Sequence, residues 1–129
     1  MKHAIAELRS SNFIKIQRVP EVDEAQVFKD ILVDVATRAG ATVLGSICHK
    51  FEPQGATAIV MIGESHLSLH TYPEFNYVSL DVYTCGGTVD PLWCVAEIAK
   101  NLEAESVSVL VVSRGNEKGF YLEKEELVL

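Results

Sequence analysis

The reactive side chains of this sequence crowd into the stretch Gly63-Glu64-Ser65-His66-Leu67-Ser68-Leu69-His70-Thr71-Tyr72-Pro73-Glu74, and a cysteine follows at Tyr83-Thr84-Cys85-Gly86-Gly87. Two imidazoles four residues apart, His66 and His70, are the beginning of a metal site. They share a face on a helix and also on a strand, but a third ligand such as Glu64 or Glu74 is then required. A serine or cysteine close to a histidine suggests nucleophilic hydrolysis, yet the chain has neither G-x-S-x-G nor a clear orienting carboxylate. The plainest reading is structural: His66, Ser68 and His70 line a solvent-facing side while Leu67 and Leu69 pack inward, as alternation in a strand dictates.

The elements that must position these residues are visible in the periodicity. Ala4, Ala6 and Leu8 alternate with Ile5, Glu7 and Arg9, and Phe13–Val19 alternates more clearly, which predicts an edge-type strand region ended by Pro20. Val22, Ala25, Phe28, Ile31, Leu32, Val35, Ala36 and Ala39 then recur at helical spacing up to a capping Gly40. Thr42–Phe51 and Ala56–Ile62 are β-rich runs joined by Glu52-Pro53-Gln54-Gly55, a turn composition that predicts a hairpin. Residues 66–71 and Tyr77–Tyr83 alternate as two more strands. Asp90 is placed as an N-cap before Pro91, opening a second helix with the stripe Leu92, Val95, Ala96, Ala99 and Leu102. Val107–Val112 reads as a buried strand, and Arg114–Leu129, charged and weakly patterned, as a loosely held tail.

With 129 residues, 48% hydrophobic and 22% charged, the chain reads as one domain spanning residues 1–129. The middle strands are too closely spaced for parallel crossovers, so the predicted fold is α+β: a two-layer sandwich of one mainly antiparallel sheet with two helices on one face. The other face must be wet, ligand-bound or covered by a second copy, and a homodimer is favoured. A formal charge of -7 disfavours nucleic acid and anionic membranes as partners. The N-terminal residues lack the apolar run of a signal peptide, and charges interrupt every long apolar run, which reads as cytoplasmic. Cys48, Cys85 and Cys94 form an odd set without a C-x-x-C pair, which reads as reduced thiols.

The run Glu64–Glu74, followed by Asp81-Val82-Tyr83-Thr84-Cys85-Gly86 and Val89-Asp90-Pro91, closely resembles the prokaryotic S-adenosylmethionine decarboxylase family, whose members are made as proenzymes. The resemblance is strong from about Gly40 to Leu102. His3 and Glu7 fit the family's opening strand, whereas Arg9-Ser10-Ser11-Asn12 departs from it. The resemblance implies self-cleavage between Glu64 and Ser65 into residues 1–64 and 65–129. The Ser65 hydroxyl would attack the Glu64 carbonyl, and elimination from the resulting ester would leave a pyruvoyl group in place of Ser65. His70 is implied as the base for this processing, with Thr57 standing where many relatives carry an assisting serine. On a regular strand Ser65 and His70 point to opposite faces, so a bend near the cleavage site is required for them to meet.

The pyruvoyl group, the only cofactor implied, would take the substrate amine as a Schiff base and accept the electrons released with carbon dioxide. Cys85 is the implied proton donor to carbon. Phe51, Leu67, Tyr72 and Glu74 are the implied substrate-binding set, two aromatic rings for adenine and a carboxylate for the ribose hydroxyls. No metal is implied. The activity implied is decarboxylation of S-adenosylmethionine to the aminopropyl donor for spermidine synthesis. Pyruvoyl-dependent decarboxylation of arginine or ornithine, and a non-catalytic regulatory subunit, are the alternatives.

Overall fold

A computed structural model describes residues 1–9, 23–85 and 87–128. The described elements run β1 (Lys2–Arg9), α1 (Glu24–Arg38), β2 (Val43–Lys50), β3 (Ala56–Ile62), β4 (Ser65–Tyr72), β5 (Tyr77–Thr84), α2 (Pro91–Asn101), β6 (Ser106–Ser113) and β7 (Tyr121–Val128). All seven strands join one antiparallel sheet in the order β2-β3-β4-β5-β1-β6-β7. Both helices lie on one face, α1 over β2, β3 and β4 and α2 over β1 and β5, as the α+β sandwich expected.

Alternation decides which face each side chain takes. Ala4, Ala6 and Leu8 of β1, Ala58 and Val60 of β3, Leu67 and Leu69 of β4, and Val78, Leu80 and Val82 of β5 are all buried against Phe28, Leu32 and Val35 of α1 and Cys94, Val95 and Ile98 of α2. The helices begin where their caps demand. Asp23 accepts from the Ala25 and Gln26 amides, and Asp90 from those of Leu92 and Trp93. Gly40 follows α1 at φ 87°, a conformation that carries no penalty only without a β-carbon.

Four expectations change. β1 is a central strand, paired with β5 and β6, because the returning strands that flank it come from far along the chain. Phe13–Val19, Pro20 and Val22 lie outside the described residues. In α2 the buried stripe contains Cys94 and Ile98 while Ala96 faces solvent. β6 buries only Val109, Val111 and Ser113, so it is covered on one face, and the charged segment after it forms the edge strand β7. An edge strand tolerates charge because one of its sides stays in water.

Candidate active site

The scissile bond implied by the sequence sits in the two-residue turn, Gly63 and Glu64, between β3 and β4. Three contacts fix that turn. The Gly63 amide donates to the Thr42 carbonyl at 2.8 Å, the Thr42 amide donates to Glu64 Oε1 at 2.9 Å, and the Cys85 amide donates to the Glu64 carbonyl oxygen at 2.7 Å. The last contact places an N–H donor on the oxygen that would become negative if a nucleophile added to that carbonyl, which is how an oxyanion is stabilised. Ser65 pairs with Thr84, so register alone brings Cys85 beside the turn. The Cys85 side chain is exposed. Cys94 is buried under α2, and burial pushes its thiol up to about 11, which suits packing rather than chemistry.

Ser65 has φ 141°, a positive value rare for a residue with a β-carbon, and such conformations cost on the order of 1–3 kcal/mol. The backbone does depart from regular strand geometry at the cleavage site, but the departure does not bring Ser65 to His70 of the same chain. It sets Ser65 Oγ 3.4 Å from Nδ1 of the neighbouring His66. His66 Nε2 lies 3.0 Å from Asp81 Oδ2, His3 Nε2 lies 2.6 Å from the same oxygen, and Ser68 Oγ donates to the other carboxylate oxygen. An ionised carboxylate only accepts, so each histidine donates from Nε2, and in its neutral form presents a lone pair on Nδ1. For His3 that lone pair faces Arg114 Nη1 at 3.2 Å, and the Arg114 guanidinium lies 4.5 Å from the Tyr83 ring centre. Burial works to raise the Asp81 carboxyl, but the hydrogen bonds from Ser68, His66 and His3 outweigh it and hold the group below the usual carboxylate range.

The remaining sequence-implied residues gather at the other end of the same open sheet face. His70 lies five residues along β4 from Ser65, roughly 17 Å at the strand rise, so the structure does not bring the two together within one chain. His70 Nδ1 instead pairs with Thr57 Oγ1 at 2.9 Å across the β3–β4 register. Both residues line a cavity of about 430 Å³ with Phe51, Tyr72 and Glu74. Phe51 and Tyr72 are exposed although large and apolar, and Gln54 Nε2 donates to Glu74 at 3.2 Å. Gly55, at φ 99°, forms part of the wall, where a β-carbon would sit 3.2 Å from the Thr71 carbonyl. Leu67 is the exception among the expected substrate contacts. Its position in β4 turns its side chain into the helix-covered core, where it is fully buried, so it packs the protein interior and does not line the cavity.

His66 and His70 share the open face as alternation required, but each has its own partner, and the strand rise puts them roughly 14 Å apart. The donor atoms of His3, His66 and Asp81 lie within 4.8 Å of one another, a spacing that a cation could bridge; here both imidazoles give their N–H to Asp81 and the set closes on itself. Sequence reasoning gave Asp81 and Ser68 no role. Their signal was available in the strand pattern, since Asp81 interrupts the apolar face of neither neighbour, Leu80 and Val82, and so projects onto the histidine side.

A two-layer α+β sandwich that carries imidazoles on the uncovered side of its sheet, with a serine in a strained backbone and an exposed thiol at one end of it, has the layout of an enzyme rather than of a packing module. The comparisons with known proteins identify which kind. A family model described as S-adenosylmethionine decarboxylase matches residues 2–115. The chain is 41% identical over 114 residues to S-adenosylmethionine decarboxylase proenzyme 1 of Bacillus anthracis, covering 88% of this chain and 83% of that one. It is 44% identical over 94 residues to the proenzyme of Caldanaerobacter subterraneus subsp. tengcongensis, covering 73% and 76%. The crystal structure of the Aquifex aeolicus adenosylmethionine decarboxylase superposes with a TM-score of 0.72 at 29% identity, covering 97% of this chain and 95% of that one. A Trypanosoma brucei structure shares the fold at a TM-score of 0.62 and 16% identity, with this chain covering 45% of it. The chain belongs to the S-adenosylmethionine decarboxylase family.

Proposed function

We propose that this chain is a proenzyme that cleaves itself between Glu64 and Ser65 and then decarboxylates S-adenosylmethionine to the aminopropyl donor for spermidine synthesis. The observation that carries the reading is the split layout of the open face: Glu64, Ser65 and Cys85 at one end of β3–β5, and a cavity walled by two exposed aromatic rings and a carboxylate at the other. Neither end is a complete site. A two-fold axis lying between two facing sheets and running across the strands sets the first end of one copy over the second end of the other. Ile5, Ile47, Ile59, Met61 and Leu110 are exposed on the same face and supply the apolar seam such a homodimer needs. His70 of the partner subunit then approaches Ser65.

The residues present fit the formation of a pyruvoyl group. Ser65 holds a strained backbone, the Glu64 carbonyl is polarised by the Cys85 amide, and an imidazole faces the hydroxyl. Once in place the group supplies an electron-accepting carbonyl at the new chain end. Phe51 and Tyr72 grip the adenine, Glu74 accepts hydrogen bonds from the ribose hydroxyls, Thr57 orients the His70 ring, and the exposed Cys85 thiol delivers a proton to carbon. A slot between aromatic rings favours a flat base over the arginine or ornithine side chain.

Two measurements test the reading. Intact mass of the purified protein is expected to show two fragments, 1–64 and 65–129, with the second lacking the serine amine. Release of labelled carbon dioxide is expected from S-adenosylmethionine and not from arginine or ornithine. Turnover of an amino acid alone selects the alternative decarboxylase. A whole, inert chain selects the non-catalytic subunit.

A further inference from the structure

The open face holds two histidines that a cleavage reaction can use, and they sit in different settings. His70 is bonded to Thr57 in the cavity, whereas His66 is next to the scissile bond in the same chain. Self-cleavage requires two distinct proton removals, first from Ser65 Oγ as the oxygen attacks, then from Ser65 Cα as the ester eliminates. One base need not serve both. We infer that His66 is the base that takes the Ser65 hydroxyl proton in the first step, with Asp81 as its positioning residue. The inference rests on the self-cleavage reading above.

The argument is geometric. His66 Nδ1 is 3.4 Å from Ser65 Oγ, a contact of the length expected before a reacting group is drawn in. In the neutral ring the Nδ1 lone pair is the one left for Ser65, because Nε2–H is committed to Asp81 at 3.0 Å. Asp81 is itself fixed from three directions, by Ser68, His66 and His3, so the ring cannot rotate its lone pair away without giving up that bond. A protonated His66 would be paired with a carboxylate already in position. The result is an Asp81, His66, Ser65 relay along the open face, built from residues of one chain.

The step balances as an isomerisation. Ser65 Oγ bonds to the Glu64 carbonyl carbon while its proton passes to His66 Nδ1, and the oxyanion is held by the Cys85 amide. The carbon–nitrogen bond then breaks, and His66 returns the proton to the Ser65 amine as the ester forms. Nothing enters or leaves. Removal of the Cα proton is left to His70.

The test follows cleavage of freshly translated full chain, with hydroxylamine added to split any ester. Ser65→Ala is the uncut control. His66→Gln is expected to slow cleavage by about 100-fold or more, the usual contribution of a positioned base, and to build up no hydroxylamine-labile ester. His70→Gln is expected to stall later, accumulating an ester that hydroxylamine opens into the two fragments. Asp81→Asn is expected to slow ester formation, with Asp81→Glu recovering part of the rate. His66→Ala, checked for an unchanged circular dichroism spectrum, is expected to regain cleavage with added imidazole. Cleavage of His66→Gln within a few-fold of the unmodified rate overturns the inference. So does a hydroxylamine-labile ester in that variant, or the absence of imidazole rescue in folded His66→Ala. An unmodified chain that never cleaves overturns the self-cleavage reading itself, a different result.

Discussion

Ser65 combines an ordinary side chain with a backbone angle that a β-carbon opposes, and the two properties separate by mutation. Ser65→Ala and Ser65→Gly both remove the hydroxyl and are expected to stay whole. Only glycine relaxes at φ 141°, so Ser65→Gly is expected to be the more stable by about 1 kcal/mol, after its larger unfolded-state entropy is subtracted from the relief of strain. Urea denaturation of both at one protein concentration checks this, and equal midpoints would mean that the turn holds no strain. Asp81 makes a second prediction. Its carboxyl lies below its ordinary value in the folded state, so its contribution to stability is complete above the unfolded value of about 3.9 and is lost as pH falls through the lower folded value. In the uncut Ser65→Ala background, Asp81→Asn is expected to be less stable at neutral pH and to lose less on acidification. Urea midpoints across the acid range measure the difference.

At the level of elements, β4 shows how a strand serves two tasks by alternation. Leu67 and Leu69 anchor it to the helices, while His66, Ser68 and His70 face outward. Leu67→Ala in the uncut background is expected to lose about 2–5 kcal/mol in a urea titration, the range for a buried leucine left as a cavity. A loss below about 1 kcal/mol would return Leu67 to the substrate side. The hairpin of β2 and β3, both helices and the outward set of β4 follow from local periodicity and turn composition, and were readable as such. The central position of β1 was not, because pairing with β5 and β6 joins segments distant in sequence. β7 escaped notice because charged side chains on an edge strand carry no burial signal.

For the whole molecule, the separation of roughly 17 Å between Ser65 and His70 within one chain sets the strongest expectation. If two copies complete one another's sites, a mixture of Ser65→Ala and His70→Gln chains, unfolded together and refolded, is expected to cleave the His70→Gln chain, whose serine then meets an intact histidine. Refolded alone and without hydroxylamine, Ser65→Ala stays whole and His70→Gln stalls at the ester. Failure of the mixture to cleave, with mixed dimers present by native mass spectrometry, would place both residues in the same chain's chemistry and require a different packing of the open face.

The sequence by itself determined the two-layer arrangement, the inward leucines, the outward histidines and the motif that marks the Glu64–Ser65 bond, because each depends on neighbours a few residues apart. It could not decide what His3, Asp81 and Arg114 do, since the contacts of His3 and His66 with Asp81, and of Arg114 with His3, depend on register across β1, β4 and β5 and on the end of β6. Nor could it choose which histidine meets Ser65. Alternation assigns a face, but distance along that face and the positive φ at the turn are properties of the folded chain.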